Sequence, residues 1–136
     1  MFVYVQGRQY VAVYQQFSVD QESPYRLRLS GFDAASSTVK DSLSYANGAA
    51  FTTSDQDNDA WSSNCAVAYL GAWWYTACHH SNLNGYNYNR GNLSETFHAK
   101  GIIWVNEVEV PDQRHYFSWP QVQMNIKKTA GSKQSY

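Results

Sequence analysis

Alternation of apolar and polar side chains, the pattern of a half-buried strand, is concentrated near the start of this chain. It runs through YVAVYQQFSV at 10–19 and returns in YRLRLSGF at 25–32, with a polar turn at 20–24 between them. This pattern predicts two antiparallel strands. Residues 33–50 are small and polar and contain glycine, which predicts a loop with a short helix near DSLSYA at 41–46.

The rest of the chain has little periodicity. The short apolar runs AWWY at 72–75 and GIIWV at 101–105 predict buried strands, and a 25-residue stretch rich in Asn, Gly and Tyr joins them. A connection of that length is usually functional or disordered, and its tyrosines favour function. HYFSWPQVQMNI at 115–126 predicts one more strand, which begins at a sheet edge because of Pro120. We expect the tail at 129–136 to be disordered.

Size and composition limit the classes of partner. A length of 136 residues suits one domain, which we place at 1–128. The net charge is -1, and ten scattered Lys and Arg residues do not make the basic face that a nucleic acid requires. No apolar run approaches the roughly 20 residues needed to cross a bilayer. We therefore expect neither a nucleic-acid partner nor membrane insertion.

The two cysteines, Cys65 and Cys78, lie 13 positions apart. They could form a disulfide, share a metal ion or remain unrelated buried thiols. A zinc site would need two further ligands, and His79 and His80 follow Cys78 directly, without any CxxC spacing. The spacing therefore favours a disulfide, and with it an oxidising, extracellular compartment.

An acidic stretch, SDQDNDAWSSNC at 54–65, places Asp55, Asp57 and Asp59 at alternate positions. Calcium takes six to eight oxygen ligands, and alternate carboxylates with backbone carbonyls can supply them. The EF-hand pattern is excluded, because alanine stands where that loop requires Gly and Glu. A polar turn whose aspartates cap backbone amides is the alternative. A bound cation would offset the repulsion among three like charges, so both interpretations stay open here.

A fixed order of motifs runs through residues 51–88: a DxDND loop, then NCA, WWY, a second cysteine 13 positions after the first, and SNLNG. This order resembles the C-terminal half of the fibrinogen-related domain, which is shared by fibrinogen chains, ficolins, tachylectins, tenascins and angiopoietins. YRLRLSGF and DSLSYANGAAF upstream, and GIIW and QVQMNIK downstream, extend the resemblance to nearly the whole chain from Tyr10. The N-terminal subdomain that is usual in the family does not appear in this sequence. The resemblance therefore implies a partial domain, whose exposed strand edge near residues 1–19 invites homo-oligomers.

The fold implied by the resemblance is α+β and fibrinogen C-terminal-like: a small antiparallel sheet with short helices and long irregular calcium- and ligand-binding loops. The resemblance also implies one structural calcium ion. Its ligands would be the carboxylates of Asp57 and Asp59 and the backbone carbonyls of Trp61 and Ser63, with water completing the shell, while Asp55 would cap or support the loop. Cys65 and Cys78 resemble the paired cysteines of the family.

In ficolin-like and tachylectin-like members of the family, a pocket beside the disulfide takes the acetyl group of N-acetylated sugars. A methyl group favours an aromatic cradle, and the adjacent carbonyl favours a positioned N–H donor. Carried onto this sequence, the implied ligand-binding residues are Tyr69, Cys78 and His79, then Phe97, His98 and Ala99 in the TFHAKG segment, and Tyr116 as a last wall.

Two functions follow from the resemblance. The first is a secreted, calcium-dependent lectin that recognises acetylated groups on glycans, in innate immunity or agglutination. The second is an extracellular protein-interaction module, as in fibrinogen or the angiopoietins. Fibrinogen captures a peptide amine with an acid four positions after the first cysteine; here that position holds Tyr69, which favours the acetyl group. No nucleophile with a base, paired carboxylates or open metal position is evident in the sequence, so we do not expect an enzyme.

Overall fold

The computed structural model describes residues 2–5, 8–89, 91–92, 94–105 and 117–128. Within these ranges the chain forms nine short β-strands, one α-helix and two 3-10 helices. The strands are arranged as four small antiparallel sheets. This is the α+β fold expected from the sequence, built from small antiparallel sheets with few helices.

The strongest alternation in the sequence forms a β-hairpin. Strand β3 (Tyr14–Val19) pairs with β4 (Leu27–Phe32), and the register places Val19 opposite Leu27. The side chains of Leu27 and Leu29 are buried in the core, while Arg28 between them faces solvent. The two predicted antiparallel strands are therefore confirmed.

The apolar run at 10–19 is not one continuous strand. It is divided between β2 (Arg8–Val11) and β3 by Ala12 and Val13, of which Ala12 is fully buried. The backbone N–H groups of Val11 and Val13 donate to the side-chain hydroxyls of Thr38 and Ser37, at 2.7 and 2.9 Å. Hydroxyls of a distant loop thus take the place of a neighbouring strand, which the local alternation does not indicate.

A three-stranded sheet joins the two ends of the described part, in the order β2, β1 (Phe2–Val5), β9 (Gln121–Gln123). The single strand predicted at 115–126 is instead two: β8 (Phe117–Ser118) and β9. Pro120 lies between them and has no N–H for a ladder, so the strand ends there.

Two further pairs of very short strands complete the described sheets. One pair joins β5 (Ser81–Asn82) to β7 (Ile103–Trp104), and the other joins β6 (Gly91–Asn92) to β8. The predicted strand GIIWV is thus present in its central part. Through β5, strand β7 pairs with the irregular stretch at 76–100 that precedes it.

The helices are short, and the α-helix is capped by a nearby side chain. The 3-10 helix η1 (Ser44–Ala46) lies in the segment where a short helix was expected. The helix α1 (Cys65–Tyr69) was not predicted, because five residues are too few to show a helical period. Its N-cap is Asn64, whose side chain accepts a hydrogen bond from Val67 N at 3.0 Å. A second 3-10 helix, η2, spans Glu95–Phe97.

The segment AWWY at 72–75 contributes core residues but no strand. Only Trp73 forms a bridge, exchanging two backbone hydrogen bonds with Thr52 at 2.9 and 3.2 Å. The backbone then turns, because Thr76 N donates to Cys78 O at 2.8 Å. The prediction of a strand here was wrong, since apolar side chains alone do not supply a backbone partner.

The core is dominated by large aromatic and aliphatic side chains from both halves of the protein. Its largest fully buried apolar side chains are those of Trp73, Trp104, Tyr75, Leu27, Leu43 and Ile103. No helix in the described part is long and apolar enough to cross a membrane. The predicted disordered tail at 129–136 lies outside the described residues.

Candidate functional site

A cavity of about 260 Å³ opens beside the disulfide. Its described lining combines aromatic rings, imidazoles and small side chains: Tyr45, Tyr69, Ala77, Cys78, His79, His80, His98 and Ala99. Five of these were predicted as ligand-binding residues from the sequence, namely Tyr69, Cys78, His79, His98 and Ala99. The fold brings them together, while their role as ligand contacts stays a prediction.

The disulfide links one wall of the cavity to helix α1. Cys65 and Cys78 are bonded, with their Cα atoms 5.7 Å apart, so the predicted disulfide is confirmed. Cys65 is buried as the first residue of α1, and Cys78 stands on the cavity wall. The peptide bond between Ala77 and Cys78 is cis. The helix and the cavity are therefore covalently joined.

Tyr69 and His79 form one wall. Tyr69 ends helix α1, and its ring meets that of His79 edge to face with centroids 4.9 Å apart. His79 is buried, and its second aromatic neighbour is Tyr75 at 5.8 Å. The Tyr75 hydroxyl donates to Asn82 Oδ1 at 2.8 Å, and burial raises the pKa of that phenol, so it stays protonated. The His79 imidazole thus has the phenol rings of Tyr69 and Tyr75 as its aromatic neighbours.

Tyr45 and His80 form a second wall that the sequence did not predict. Their rings stack almost in parallel, with centroids 4.0 Å apart and an interplanar angle of 15°. Tyr45 comes from η1 and His80 from the segment after the disulfide. Such a pairing between residues far apart in sequence leaves no periodic signal in the sequence. Ala77 is the third lining residue that the sequence analysis did not predict, and it carries no such signal either.

The position of Tyr45 is set by Asp41. One carboxylate oxygen of Asp41 accepts the backbone N–H groups of Leu43 and Ser44 at 3.1 and 3.0 Å, which starts η1. The same oxygen accepts the hydroxyl of Tyr14, on β3, at 2.6 Å. Burial opposes ionisation, but the hydrogen bonds from Ser44, Tyr14 and the backbone prevail and hold the pKa of Asp41 below its ordinary value.

The third side of the cavity comes from the turn after η2. His98 and Ala99 line it, and Ala99 is buried with a positive φ of 60°. Phe97 is not among the lining residues; its ring packs against Tyr88 with centroids 5.3 Å apart. Of the predicted ligand-binding residues in this segment, His98 and Ala99 line the cavity and Phe97 does not. Tyr116 lies outside the described residues.

The acidic loop leads from the bridge at Thr52 to helix α1. Asp59 Oδ1 accepts Trp61 N at 2.9 Å, and its Oδ2 accepts Cys65 N at 2.8 Å. Asp57 Oδ1 accepts Asp59 N at 3.2 Å. The carboxylate of Asp59 therefore fixes the turn against the first residue of the helix, and so against the disulfide.

Asp55 has a different environment. It accepts the hydroxyl of Thr53 at 2.6 Å, and this hydrogen bond lowers the pKa of the Asp55 carboxyl. This is a capping contact within the loop, of the kind expected for Asp55 from the sequence.

The atoms of the loop suit a calcium ion. Each carboxylate oxygen has two acceptor sites, so the N–H contacts of Asp57 and Asp59 leave room for a cation. The carbonyl oxygens of Trp61 and Ser63 accept no hydrogen bond from the described part of the protein, and both residues are exposed. Hard oxygen donors from carboxylates, carbonyls and water are the ligands that calcium prefers. These four residues could hold the ion, whose charge would neutralise the carboxylates.

Comparison with known proteins relates the sequence to one family. The family model for the C-terminal globular domain of the fibrinogen beta and gamma chains matches residues 3–129. Rat Tenascin-R is 41% identical over 128 residues, which cover 90% of this chain and 8% of that protein. Mouse angiopoietin-related protein 6 is 43% identical over 100 residues, which cover 73% of this chain and 21% of that protein.

Solved structures agree with the sequence relatives. The fibrinogen-like globe domain of human ANGPTL2 superposes with a TM-score of 0.74 at 36% identity, covering 88% of this chain and 52% of that one. Lamprey fibrin D-dimer, complexed with the peptide Gly-His-Arg-Pro-amide, superposes with a TM-score of 0.65 at 22% identity, covering 98% of this chain and 49% of that one, which supports the fold alone. The sequence thus spans about half of the solved domain and a small part of the full-length relatives.

Proposed function

Since this protein belongs to the family of the C-terminal globular domain of the fibrinogen beta and gamma chains, we propose that it is an extracellular recognition module whose cavity binds an uncharged group of a partner protein. Its relatives among the tenascins and the angiopoietin-related proteins support protein recognition ahead of the lectin function favoured by the sequence. The disulfide supports an extracellular location, because such bonds persist in oxidising compartments. We propose binding and not catalysis, since the two sulfur atoms near the cavity are bonded to each other.

The observation that carries the proposal is the character of the cavity wall. Rings, alanines and the disulfide line it, and no Asp, Glu, Lys or Arg is among its described lining residues. A charged ligand group would lose hydration there without gaining a counter-ion. A small group with an apolar part and a carbonyl would instead pack against the rings. Cys78 N–H donates to no group in the described ranges, which makes it a donor for that carbonyl.

A second candidate is the recognition of acetylated groups on glycans, such as N-acetyl sugars. It is favoured by Tyr69, an uncharged aromatic residue on the wall, beside Cys78 as an N–H donor. An acetyl group has a methyl and a carbonyl, the same combination of an apolar part and a carbonyl that we propose for the group of a protein ligand. One shallow site of this kind binds weakly, so useful avidity would need several copies. Strand β2 lies at the edge of its three-stranded sheet, and we propose it as a place where copies of the protein pair into homo-oligomers.

Selection from a random-peptide display library tests the main proposal. We expect the unchanged protein to enrich peptides that the variant Tyr69→Ala does not retain, because this change removes a ring from the cavity wall. Tyr86→Ala is the matched control: Tyr86 is exposed and does not line the cavity, so its peptides should match those of the unchanged protein. Equal retention by Tyr69→Ala would contradict binding at this cavity.

The same preparation can distinguish the second candidate. If acetylated glycans are the ligand, an array of N-acetyl sugars should bind the protein, and free N-acetylglucosamine should compete with that binding. Binding of displayed peptides without any effect of N-acetylglucosamine would favour the protein ligand.

We also propose that one structural calcium ion binds the carboxylates of Asp57 and Asp59 and the carbonyls of Trp61 and Ser63. Two features support it: the loop carries three aspartates, and the two carbonyls are unpaired within the described part. Ligand linkage predicts about 2.7 kcal/mol of added stability when calcium is at 100 times its dissociation constant.

Thermal unfolding with and without a chelator measures this effect. Calcium should raise the Tm of the unchanged protein, and Asp57→Ala should abolish the rise. Asp55→Ala is the control, because we assign Asp55 to Thr53 and not to the ion, so its calcium response should remain. A calcium-dependent rise that survives Asp57→Ala would rule out this ligand set.

A further inference from the structure

The side chain of Asn82 bonds a residue of the cavity wall but does not line the cavity itself. Asn82 is fully buried on strand β5, where it pairs with Ile103 of β7, which is also fully buried. Its Nδ2 donates to the carbonyl oxygen of Tyr69 at 3.2 Å, and its Oδ1 accepts the hydroxyl of Tyr75 at 2.8 Å. One buried amide thus joins the end of α1 to the segment that precedes Cys78.

The two residues that Asn82 bonds are both aromatic neighbours of His79. Neither is part of a long regular element: Tyr69 ends a five-residue helix, and the segment of Tyr75 has one described bridge, at Trp73. Asn82, in contrast, is held by backbone pairing to the buried strand β7. The amide therefore connects the core to the wall that Tyr69 and His79 form.

These two hydrogen bonds need both halves of an amide. The carbonyl oxygen of Tyr69 can only accept, so the group that faces it must be a donor, and Nδ2 supplies one. A carboxylate in place of Asn82 would set two acceptor oxygens against each other in a fully buried position. An apolar side chain would remove the partner that the structure shows for the hydroxyl of Tyr75. The position thus requires the chemistry of asparagine.

Two glycines leave the space in which the amide lies. A Cβ added to Gly71 would lie 2.5 Å from the hydroxyl of Tyr75 and 2.7 Å from Asn82 Oδ1. A Cβ added to Gly85 would lie 2.8 Å from Asn82 Nδ2. A larger residue at either position would displace these groups. The amide is therefore closely packed from two sides, which fixes its place.

We propose that Asn82 is a positioning residue of the cavity: it sets the places of Tyr69 and His79 from within the core and does not touch the ligand. This inference rests on the proposed function, since it names the residue that gives the same cavity its binding geometry. Residues behind a site hold its contact groups in the productive arrangement. Loss of the amide should therefore weaken ligand binding although no described lining residue is changed.

NMR of the free protein tests the positioning without any ligand. The rings of Tyr69 and His79 meet edge to face, so the current of one ring shifts the proton signals of the other. Asn82→Leu removes both hydrogen bonds, whereas Tyr75→Phe removes one hydroxyl and keeps the ring. We expect both variants to move these signals toward the values of isolated rings, Asn82→Leu more than Tyr75→Phe. The signals of His98, on another side of the cavity, should stay in place.

Titration with N-acetylglycinamide, a neutral probe with a methyl and a carbonyl, tests the consequence for binding. We expect Tyr75→Phe to weaken its affinity about fivefold, the factor that corresponds to one hydrogen bond of typical strength. Asn82→Leu should weaken it at least as much. The double variant should bind no worse than Asn82→Leu alone, because both changes remove the same hydrogen bond. Dispersed amide spectra show whether each variant is folded, and Tyr75→Phe carries the test if Asn82→Leu is not.

Asn84→Ala is the matched control. The amide of Asn84 also donates to a backbone carbonyl, that of Ala72 at 3.0 Å, but neither residue lines the cavity beside the disulfide. Its loss should leave both the ring signals and the affinity unchanged. A loss of affinity as large as that of Tyr75→Phe would show that any weakened contact in this part of the protein lowers binding, and would overturn the assignment to Asn82.

The two measurements separate this inference from the proposed function. Ring signals that stay in place in both Tyr75→Phe and Asn82→Leu overturn the positioning role, whatever the ligand. Ring signals that move without any loss of affinity overturn the link from this position to binding. If the unchanged protein does not bind N-acetylglycinamide but the ring signals move as expected, the positioning of the wall is supported and the uncharged-group cavity is contradicted.

Discussion

The hairpin β3–β4 and the cavity region are built in different ways. The hairpin is a ladder of five aligned residue pairs, from Tyr14 opposite Phe32 to Val19 opposite Leu27. The described cavity region is built from two-residue strands, a five-residue helix, two 3-10 helices and single bridges. Its shape depends on contacts that each occur once: a disulfide, a capping aspartate, a ring stack. Redundant backbone pairing supports the first region, whereas individual side chains support the second.

This difference determines how each region should respond to a change. A ladder loses one hydrogen bond and keeps its register through the others. A region held by single contacts loses its geometry when one contact is removed. Variants in the cavity region should therefore have larger and more local effects than comparable variants in the hairpin, and the four predictions below measure that contrast.

Removal of the disulfide should have the largest effect. Replacing both Cys65 and Cys78 by alanine frees a loop with a sequence separation of 13, and the chain-entropy model assigns such a bridge roughly 3 kcal/mol. Chemical denaturation measures the loss of unfolding free energy. Hydrogen exchange should show faster opening at 57–85 and little change in 14–32. An equal increase in exchange across both regions would mean that the two are not separately supported.

Gly85→Ala should come next, at about 2 kcal/mol, because an added Cβ would overlap the carbonyl oxygen of Gly101. This contact is with backbone and cannot relax by turning a side chain. Gly48→Ala, beside the hairpin, is the matched control: Gly48 has a φ of +81° but no atom within 4 Å of the added carbon, so only backbone strain of about 1 kcal/mol remains. Equal losses in the two variants would show that crowding at Gly85 is relieved by a backbone shift.

The same contrast explains which features could be predicted from the sequence. The hairpin was visible because alternation in Leu27 and Leu29 is a local consequence of one buried face. Helix α1 was invisible because its five residues are too few to show a helical period. The stack of Tyr45 on His80 was invisible because its partners are brought together only by the fold. The pocket residues Tyr69 and His79 were found by family resemblance and not by any periodicity.

Asp41 lies where the two regions meet, since it bonds Tyr14 of the hairpin and starts the 3-10 helix that carries Tyr45. We expect Asp41→Asn to cost about 1 kcal/mol at pH 7, a modest value because the carboxylate is partly exposed to solvent. Its pKa is depressed in the folded protein, so this stability is present above the ordinary value of about 3.9 and is lost as pH falls through the folded value.

Denaturation curves at pH 7 and pH 3 check both parts of this prediction. The gap between the unchanged protein and Asp41→Asn should be clear at pH 7 and smaller at pH 3, below the ordinary carboxyl value. Tyr14→Phe removes one of the hydrogen bonds that lower this pKa, so its cost should also shrink at low pH, but by less, because the other hydrogen bonds to Asp41 remain. A gap for Asp41→Asn that is constant with pH would show that the ionised carboxylate does not stabilise the fold.

The smallest effect should come from the ion pair between Arg28 and Asp20 in the hairpin, although both carboxylate oxygens are hydrogen-bonded in it. Arg28 donates to both carboxylate oxygens of Asp20 across the end of the hairpin, at 2.9 and 2.7 Å, and this contact lowers the pKa of Asp20. The Arg28 side chain is 54% exposed and that of Asp20 is 36% exposed, so water screens the charges, and two side chains must be ordered to form the pair. The ladder already fixes the turn that the pair spans.

Arg28→Gln should therefore leave the denaturation midpoint unchanged at physiological salt, where the screening length is about 8 Å. A shift as large as that of Asp41→Asn would mean that the hairpin, too, depends on single side chains, and the contrast between the two regions would not hold.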